Sequence, residues 1–129
     1  MIDPIGSERL DLVAMTPAFL AASIEGDRAC ASRELGVRIP AYWPDVPEVL
    51  ALRLEQLRVQ PDLQPWLLRA ICLRSEGCMV GHIGFHTTPD PEYLQPWLPG
   101  GIELGFSVFP QHRRRGYASE AVRALMAWA

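Results

Sequence analysis

Two residue types are missing from this 129-residue chain: it has no lysine and no asparagine. All 12 of its basic residues are arginine, a bias of the kind a GC-rich genome imposes. Without lysine, Schiff-base catalysis and the lysine of a phosphate-binding P-loop are excluded. Cysteine is scarce, and Cys30, Cys72 and Cys78 form an odd-numbered set. The opening Met1 to Ser7 shows no basic patch followed by an apolar stretch. The chain therefore reads as a cytoplasmic protein with free thiols. Apolar runs last only a few residues, which excludes a membrane-spanning helix. Excess positive charge is also lacking. The net charge is −3 and the pI about 5.6, against the expectation for a general nucleic-acid binder.

What is present suits one packed domain. The mass is 14.4 kDa, with 49% hydrophobic and 21% charged residues. Charge is uneven along the chain. Residues 1–65 carry six arginines against ten acids, and residues 66–129 carry six against five. Three of the later arginines are consecutive, Arg113 to Arg115.

Residues Glu8 to Val13 alternate polar and apolar, which predicts a strand. Thr16-Pro17 predicts a helix start, with threonine as cap and proline at the first helical position, and Gly26 its end. A second helix is expected from Asp27 to Leu35, closed by Gly36. Residues 39–47, with three prolines, Tyr42 and Trp43, predict an aromatic loop. A third helix then runs from Pro47 to before Pro61. Trp66 to Arg74 and Cys78 to His86 predict an antiparallel hairpin around the Glu76-Gly77 turn, with Cys72 and Cys78 near each other. Proline-rich residues 87–101 predict an irregular loop. Ile102 to Phe109 predicts a last strand, stopped by Pro110. From Gly116 onward the apolar positions 118, 121, 122, 125, 126 and 129 trace one helical stripe.

The chemistry concentrates between that last strand and that last helix. A strand, a tight basic loop and a helix N-terminus follow one another. Free backbone N–H groups and the positive end of the helix dipole bind phosphate. Gly116 permits close approach of a ligand, Ala118 keeps the next turn small, and three arginines favour a polyanion. This predicts a diphosphate cradle. His82 and His86 invite a metal reading, but four residues apart on a strand they stand about 13 Å from each other, so no metal site is expected.

Arg113-x-x-Gly116-x-Ala118 resembles the Arg/Gln-x-x-Gly-x-Gly/Ala acetyl-CoA motif of the GCN5-related N-acetyltransferases (GNAT). Glu103-Leu104-Gly105-Phe106 and Pro110 are similar to the strand that precedes it in that family. Ser7 to Leu12 and Val80 to Phe85 are similar to two earlier strands of its ribosomal-protein-acetylating, Rim-like branch. The resemblance spans residue 7 to the chain's end. It implies an α/β (α+β) fold, a mixed and mostly antiparallel sheet flanked by helices, as one domain over residues 1–129. It also implies that the family's later strands, its last helix and its thiolate-protonating tyrosine would follow Ala129, so that the domain is incomplete here.

The implied function is transfer of an acetyl group from acetyl-CoA to a primary amine, on a protein N-terminus or a small molecule, by direct attack on the thioester. A non-catalytic acyl-CoA-binding or protein-interaction module is the alternative. In the family, main-chain amides of the motif hold the pyrophosphate. Here these belong to Arg114, Arg115, Gly116, Tyr117 and Ala118, with the Ser119 hydroxyl and Arg113 beside them. Ser107, Val108 and Phe109 would hold the pantetheine arm through their backbone. Glu103 is the expected base that frees the amine of its proton. The expected partners are acetyl-CoA and an amine acceptor, without nucleic acid or membrane. A homo-oligomer through the exposed sheet edge is the further expectation.

Overall fold

The computed structural model describes residues 2–87, 96–97 and 103–129. The expected loop over 87–101, with Tyr93, and the first residue of the expected last strand, Ile102, lie mostly or wholly outside these. Five strands form one sheet in sequence order: β1 (Ile5–Gly6), β2 (Leu10–Ala14), β3 (Arg69–Leu73), β4 (Cys78–Phe85) and β5 (Leu104–Val108), each antiparallel to its neighbour. Four α-helices accompany them: α1 (Pro17–Glu25), α2 (Arg28–Leu35), α3 (Pro47–Val59) and α4 (Tyr117–Trp128). The mixed α+β class expected from the sequence is the one observed.

Local chemistry sets most boundaries. The Thr16 hydroxyl accepts from the Phe19 amide at 3.0 Å and Pro17 opens α1, which stops at Gly26 with φ +77°. Asp27 caps α2 through the Cys30 amide at 3.1 Å, and Gly36 closes it at φ +85°. These are sites where a short polar side chain and a glycine each satisfy helix-end backbone groups. Strand β3 begins three residues later than expected. The amides of Trp66 and Leu67 bond back to the Leu63 carbonyl, closing a turn after the short 3₁₀ segment Pro61–Leu63. The pairing Ile5–Gly6 with Asp11–Leu12 was too short to show a period.

The sheet divides the core in two. Helices α1 to α3 cover one face through Phe19, Leu20, Ala31, Leu50 and Leu57, joined by Trp43 from the loop before α3 and Phe109 from just after β5. Helix α4 covers the other, placing Tyr117, Ala121 and Leu125 on Leu10, Leu12, Ile71, Val80, Ile83 and Phe85. Leu125 is fully buried, a contribution of about 2 kcal/mol relative to an exposed leucine. Met126, assigned to the apolar stripe, is instead exposed. Cys72 and Cys78 fall on opposite faces, one in each core cluster, and all three cysteines are free.

Arg69 is completely buried without an ion pair among the described residues. Its guanidinium donates to the carbonyls of Pro65, Leu12 and Asp3 and lies 5.0 Å under the Trp128 ring. It thereby joins the chain start, β2, β3 and the end of α4.

Candidate active site

Strand β5 leads through a 3₁₀ turn, Pro110–His112, into the basic loop. The backbone turns left-handed at Arg114 (φ +66°) and again at Gly116 (φ +80°), and α4 starts at the next residue. A left-handed turn against a helix start points successive amides the same way, which makes an anion-binding concavity. The amides of Arg114 to Ser119 have no protein acceptor among the described residues. A cleft of about 230 Å³ opens there, lined by Val108, His112, Arg113, Arg114 and residues 116–119. The loop residues expected to form a diphosphate cradle are thus brought together. Arg113 is diverted: its Nε donates to the Val108 carbonyl at 2.8 Å and ties the loop to the end of β5.

The side chains that hold this loop come from the far end of the chain. The Arg9 Nε donates to Glu120 Oε1 at 2.6 Å, and the Arg9 amide donates to Oε2 at 2.8 Å. The Ser7 hydroxyl donates to the same oxygen at 2.5 Å. Arg9 also donates through Nη1 to the Arg115 carbonyl at 2.9 Å and stacks 4.6 Å from the Tyr117 ring centre. Burial alone would raise the Glu120 carboxyl. The hydrogen bonds from Ser7 and Arg9, with the charge of Arg9, outweigh it and hold the group below its ordinary value. Neither Arg9 nor Glu120 was singled out from the sequence. Each reads locally as an ordinary strand or helix residue, and no periodicity links positions 111 apart.

Gly116 lines the cleft, as expected, and has a second consequence for the loop. A Cβ there would stand 3.3 Å from Arg9 Nη2. Its absence lets Arg9 reach under the loop, and the positive φ is one that side-chain-bearing residues resist.

Beyond the loop, β5 is the outer strand of the sheet among the described residues. Its register pairs Gly81 with Val108 and Phe85 with Leu104. The Phe109 amide donates to Val80 O at 2.8 Å, and the His86 amide to Glu103 O at 3.1 Å. In an antiparallel ladder the bonded residues alternate. The odd positions 103, 105, 107 and 109 therefore face β4, and the backbone groups of Leu104, Phe106 and Val108 face the free edge. A Cβ on Gly81 would meet the Ser107 carbonyl at 2.2 Å, which places that carbonyl on the β4 side. Ser107 and Phe109, expected to offer backbone to a pantetheine arm, are corrected on this ground: they are paired with β4. Val108 keeps its amide for the edge, while its carbonyl holds Arg113. Phe106, which the sequence reading passed over, is the exposed residue of β5. With Ala118, Ser119, Val122 and Arg123 it lines a trough of about 380 Å³ that continues the loop cleft.

On the opposite face of the sheet, Glu103 Oε2 lies 2.9 Å from His86 Nδ1, both side chains half-buried. Beside them is a cavity of about 310 Å³ between β4, β5 and the start of α3. Its lining includes Val46, Val49, Arg53, His82, His86 and Gly105. His82 is buried, with Nε2 3.3 Å from Asp45 Oδ1 in poor alignment for a hydrogen bond. Trp43 belongs to the core, its Nε1 donating to Ser23 at 2.9 Å, and Tyr42 stands edge-on to Phe109. Trp97 is largely exposed. Glu103 thus sits at the opposite end of β5 from the cradle, on the face covered by α1 to α3.

Comparison with known proteins identifies the family and the fold. The acetyltransferase (GNAT) domain family matches residues 9–129. An uncharacterised N-acetyltransferase of Bacillus subtilis, YjdG, is 30% identical over 125 residues, which span 95% of this chain and 70% of that protein. A GNAT-family acetyltransferase structure from Bordetella pertussis covers 98% of this chain and 71% of its own, with a TM-score of 0.61 and 23% identity. The ribosomal-protein acetyltransferase RimL, solved in complex with coenzyme A, shares the fold at TM-score 0.56 and 16% identity, over 98% of this chain and 67% of its own. With β5 outermost among the described residues and leading into a loop of free amides at a helix start, and with a family match over residues 9–129, the chain belongs to the GNAT family of N-acetyltransferases, which use acetyl-CoA.

Proposed function

We propose that this chain moves the acetyl group of acetyl-CoA onto a primary amine, on a protein N-terminus or a small molecule, by direct attack of the neutral amine on the thioester. The observation that carries this reading is the free edge of β5. One strand connects the cradle at Val108 to Ser119 with the Glu103 carboxylate. At about 3.4 Å per residue, the five steps from Glu103 to Val108 span roughly 17 Å. A diphosphate held by the amides of Arg114 to Ala118 and the Ser119 hydroxyl sends its arm along the Phe106 trough. There the outward amides of Val108 and Phe106 meet it. The Phe106 amide is the donor suited to polarise the acetyl carbonyl, where negative charge develops during attack. The acceptor enters from the other face through the cavity beside His86. Glu103 and His86, joined at 2.9 Å, together supply the basic centre, because the nucleophile must lose its proton.

Isothermal titration of the folded protein with acetyl-CoA tests the first half. Saturable binding is expected, weakened at least tenfold in Gly116→Val. Absence of heat at millimolar ligand overturns the reading. Release of free thiol with a panel of primary amines tests the second half.

A further inference from the structure

Resting on the acetyl-transfer reading, we infer that the atom receiving the amine's proton is Nε2 of His86, and that Glu103 is a positioning residue acting through the imidazole. His86, just after β4, and Glu103, just before β5, are directly opposed, joined by the backbone bond of 3.1 Å and by the side-chain contact of 2.9 Å at Nδ1. A carboxylate only accepts hydrogen bonds, so this contact places the proton of a neutral imidazole on Nδ1. The lone pair is then on Nε2. That nitrogen has no partner among the described residues.

Gly105 decides where Nε2 goes. A Cβ on Gly105 would stand 3.1 Å from it, so the ring lies over backbone that any other residue would shield. Gly105 adjoins Phe106, whose outward amide is assigned to the acetyl carbonyl. The cavity on this face is lined by His86 and not by Glu103. An amine approaching β5 from the cavity therefore meets Nε2 before either carboxylate oxygen. His82 lines the same cavity. It stands four residues deeper, against Asp45 and the rings of Trp43 and Phe109.

In the step itself the amine nitrogen forms a bond to the thioester carbon and gives one proton to His86 Nε2. The carbon–sulfur bond breaks, with its electron pair leaving on the coenzyme A thiolate. The thiolate takes a proton from water, and the imidazolium returns its proton to solvent. No oxidant, reductant or further reactant is needed.

Two measurements on the 129-residue protein test this. Long-range proton–nitrogen correlation NMR reads the tautomer of each imidazole without any acceptor. The expected result is an Nδ1–H tautomer for His86, moving towards Nε2–H in Glu103→Ala and restored in Glu103→Gln, whose side-chain oxygen still accepts from Nδ1. An Nε2–H tautomer in the parent protein overturns the inference. Thiol release from acetyl-CoA with glycinamide as acceptor reads the chemistry. His86→Ala is expected to lower kcat by 10²-fold or more with acetyl-CoA affinity within twofold, and Glu103→Gln to lower it by less than tenfold. A greater loss in Glu103→Gln than in His86→Ala returns the proton to Glu103, and full activity in His86→Ala also overturns the inference. Failure of the parent protein to bind acetyl-CoA at all is a separate outcome, which removes the acetyl-transfer reading itself.

Discussion

Arg9 and Glu120, 111 residues apart, meet at 2.6 Å directly beneath the loop that carries Arg113 to Gly116. The pair joins the start of β2 to the first turn of α4. Through Arg9 it also engages the Arg115 carbonyl and the Tyr117 ring. The loop's conformation is therefore set from outside its own sequence. Replacing Arg9 by leucine should keep much of the hydrophobic contact and remove the charge. It leaves a buried carboxylate without its cation, at a cost of about 2 kcal/mol in stability, tempered because Arg9 itself is partly in solvent. Acetyl-CoA affinity should fall about tenfold, equivalent to about 1.4 kcal/mol. Urea unfolding and calorimetric titration measure the two effects. Unchanged affinity would show that the loop holds its shape alone.

Glu120 gives the fold an acid-sensitive point. A carboxyl held below its ordinary value in the native state adds stability above its unfolded value. That contribution is complete at neutral pH. It starts to fall below about pH 4.3, the ordinary glutamate value, and vanishes only once the pH passes below the depressed native value. The stability gap between the parent protein and Glu120→Gln should accordingly be constant from pH 8 to pH 6 and narrow below pH 4. A gap independent of pH down to 3 would contradict this.

Gly116 should tolerate asparagine far better than valine. Its φ of +80° suits glycine and, next best, asparagine, whereas a β-branched residue is strained there. Both substitutions crowd Arg9, since any Cβ falls 3.3 Å from Nη2. Gly116→Val should bind acetyl-CoA at least tenfold more weakly and Gly116→Asn within about threefold. Equal loss in the two would assign the glycine to ligand clearance instead of backbone conformation.

The cysteines should separate by reactivity. Burial first, then the nearby charges of Asp11 and Cys78, push the Cys72 thiol up to about 12, leaving almost no thiolate at pH 8. Cys30 is only half-buried. Alkylation followed by peptide mass spectrometry should mark Cys30 in the native protein and Cys72 only after unfolding. Early labelling of Cys72 would show that β3 opens readily.

The free edge of β5 carries a prediction about assembly. Leu104, Phe106 and Val108 present backbone groups outward, and Phe106 is exposed. Such an edge recruits another strand unless charge blocks it. Without acetyl-CoA, which occupies the same edge, the 129-residue chain should therefore associate with itself, and either Phe106→Lys or saturating acetyl-CoA should shift it towards monomer. Light scattering coupled to size exclusion reads both. A monodisperse monomer of the parent protein would refute the association.

The sequence by itself determined whatever depends on neighbours in the chain. Thr16 and Asp27 cap helices, and Gly26 and Gly36 end them, because the bonds involved span three to five residues. The Arg113 to Ala118 loop was legible for the same reason: turn, glycine and helix start are consecutive. Only the tertiary structure decided which backbone groups of β5 are free. A one-residue change of register exchanges the two sets, and register is set by packing on β4. That is why Ser107 and Phe109 were assigned to the edge and Phe106 was missed. The Arg9–Glu120 brace and the His86–Glu103 pair belong to the same class. Their partners lie 111 and 17 residues apart, and nothing in local propensity links them. They meet because α4 packs across β2 and because β4 and β5 lie side by side.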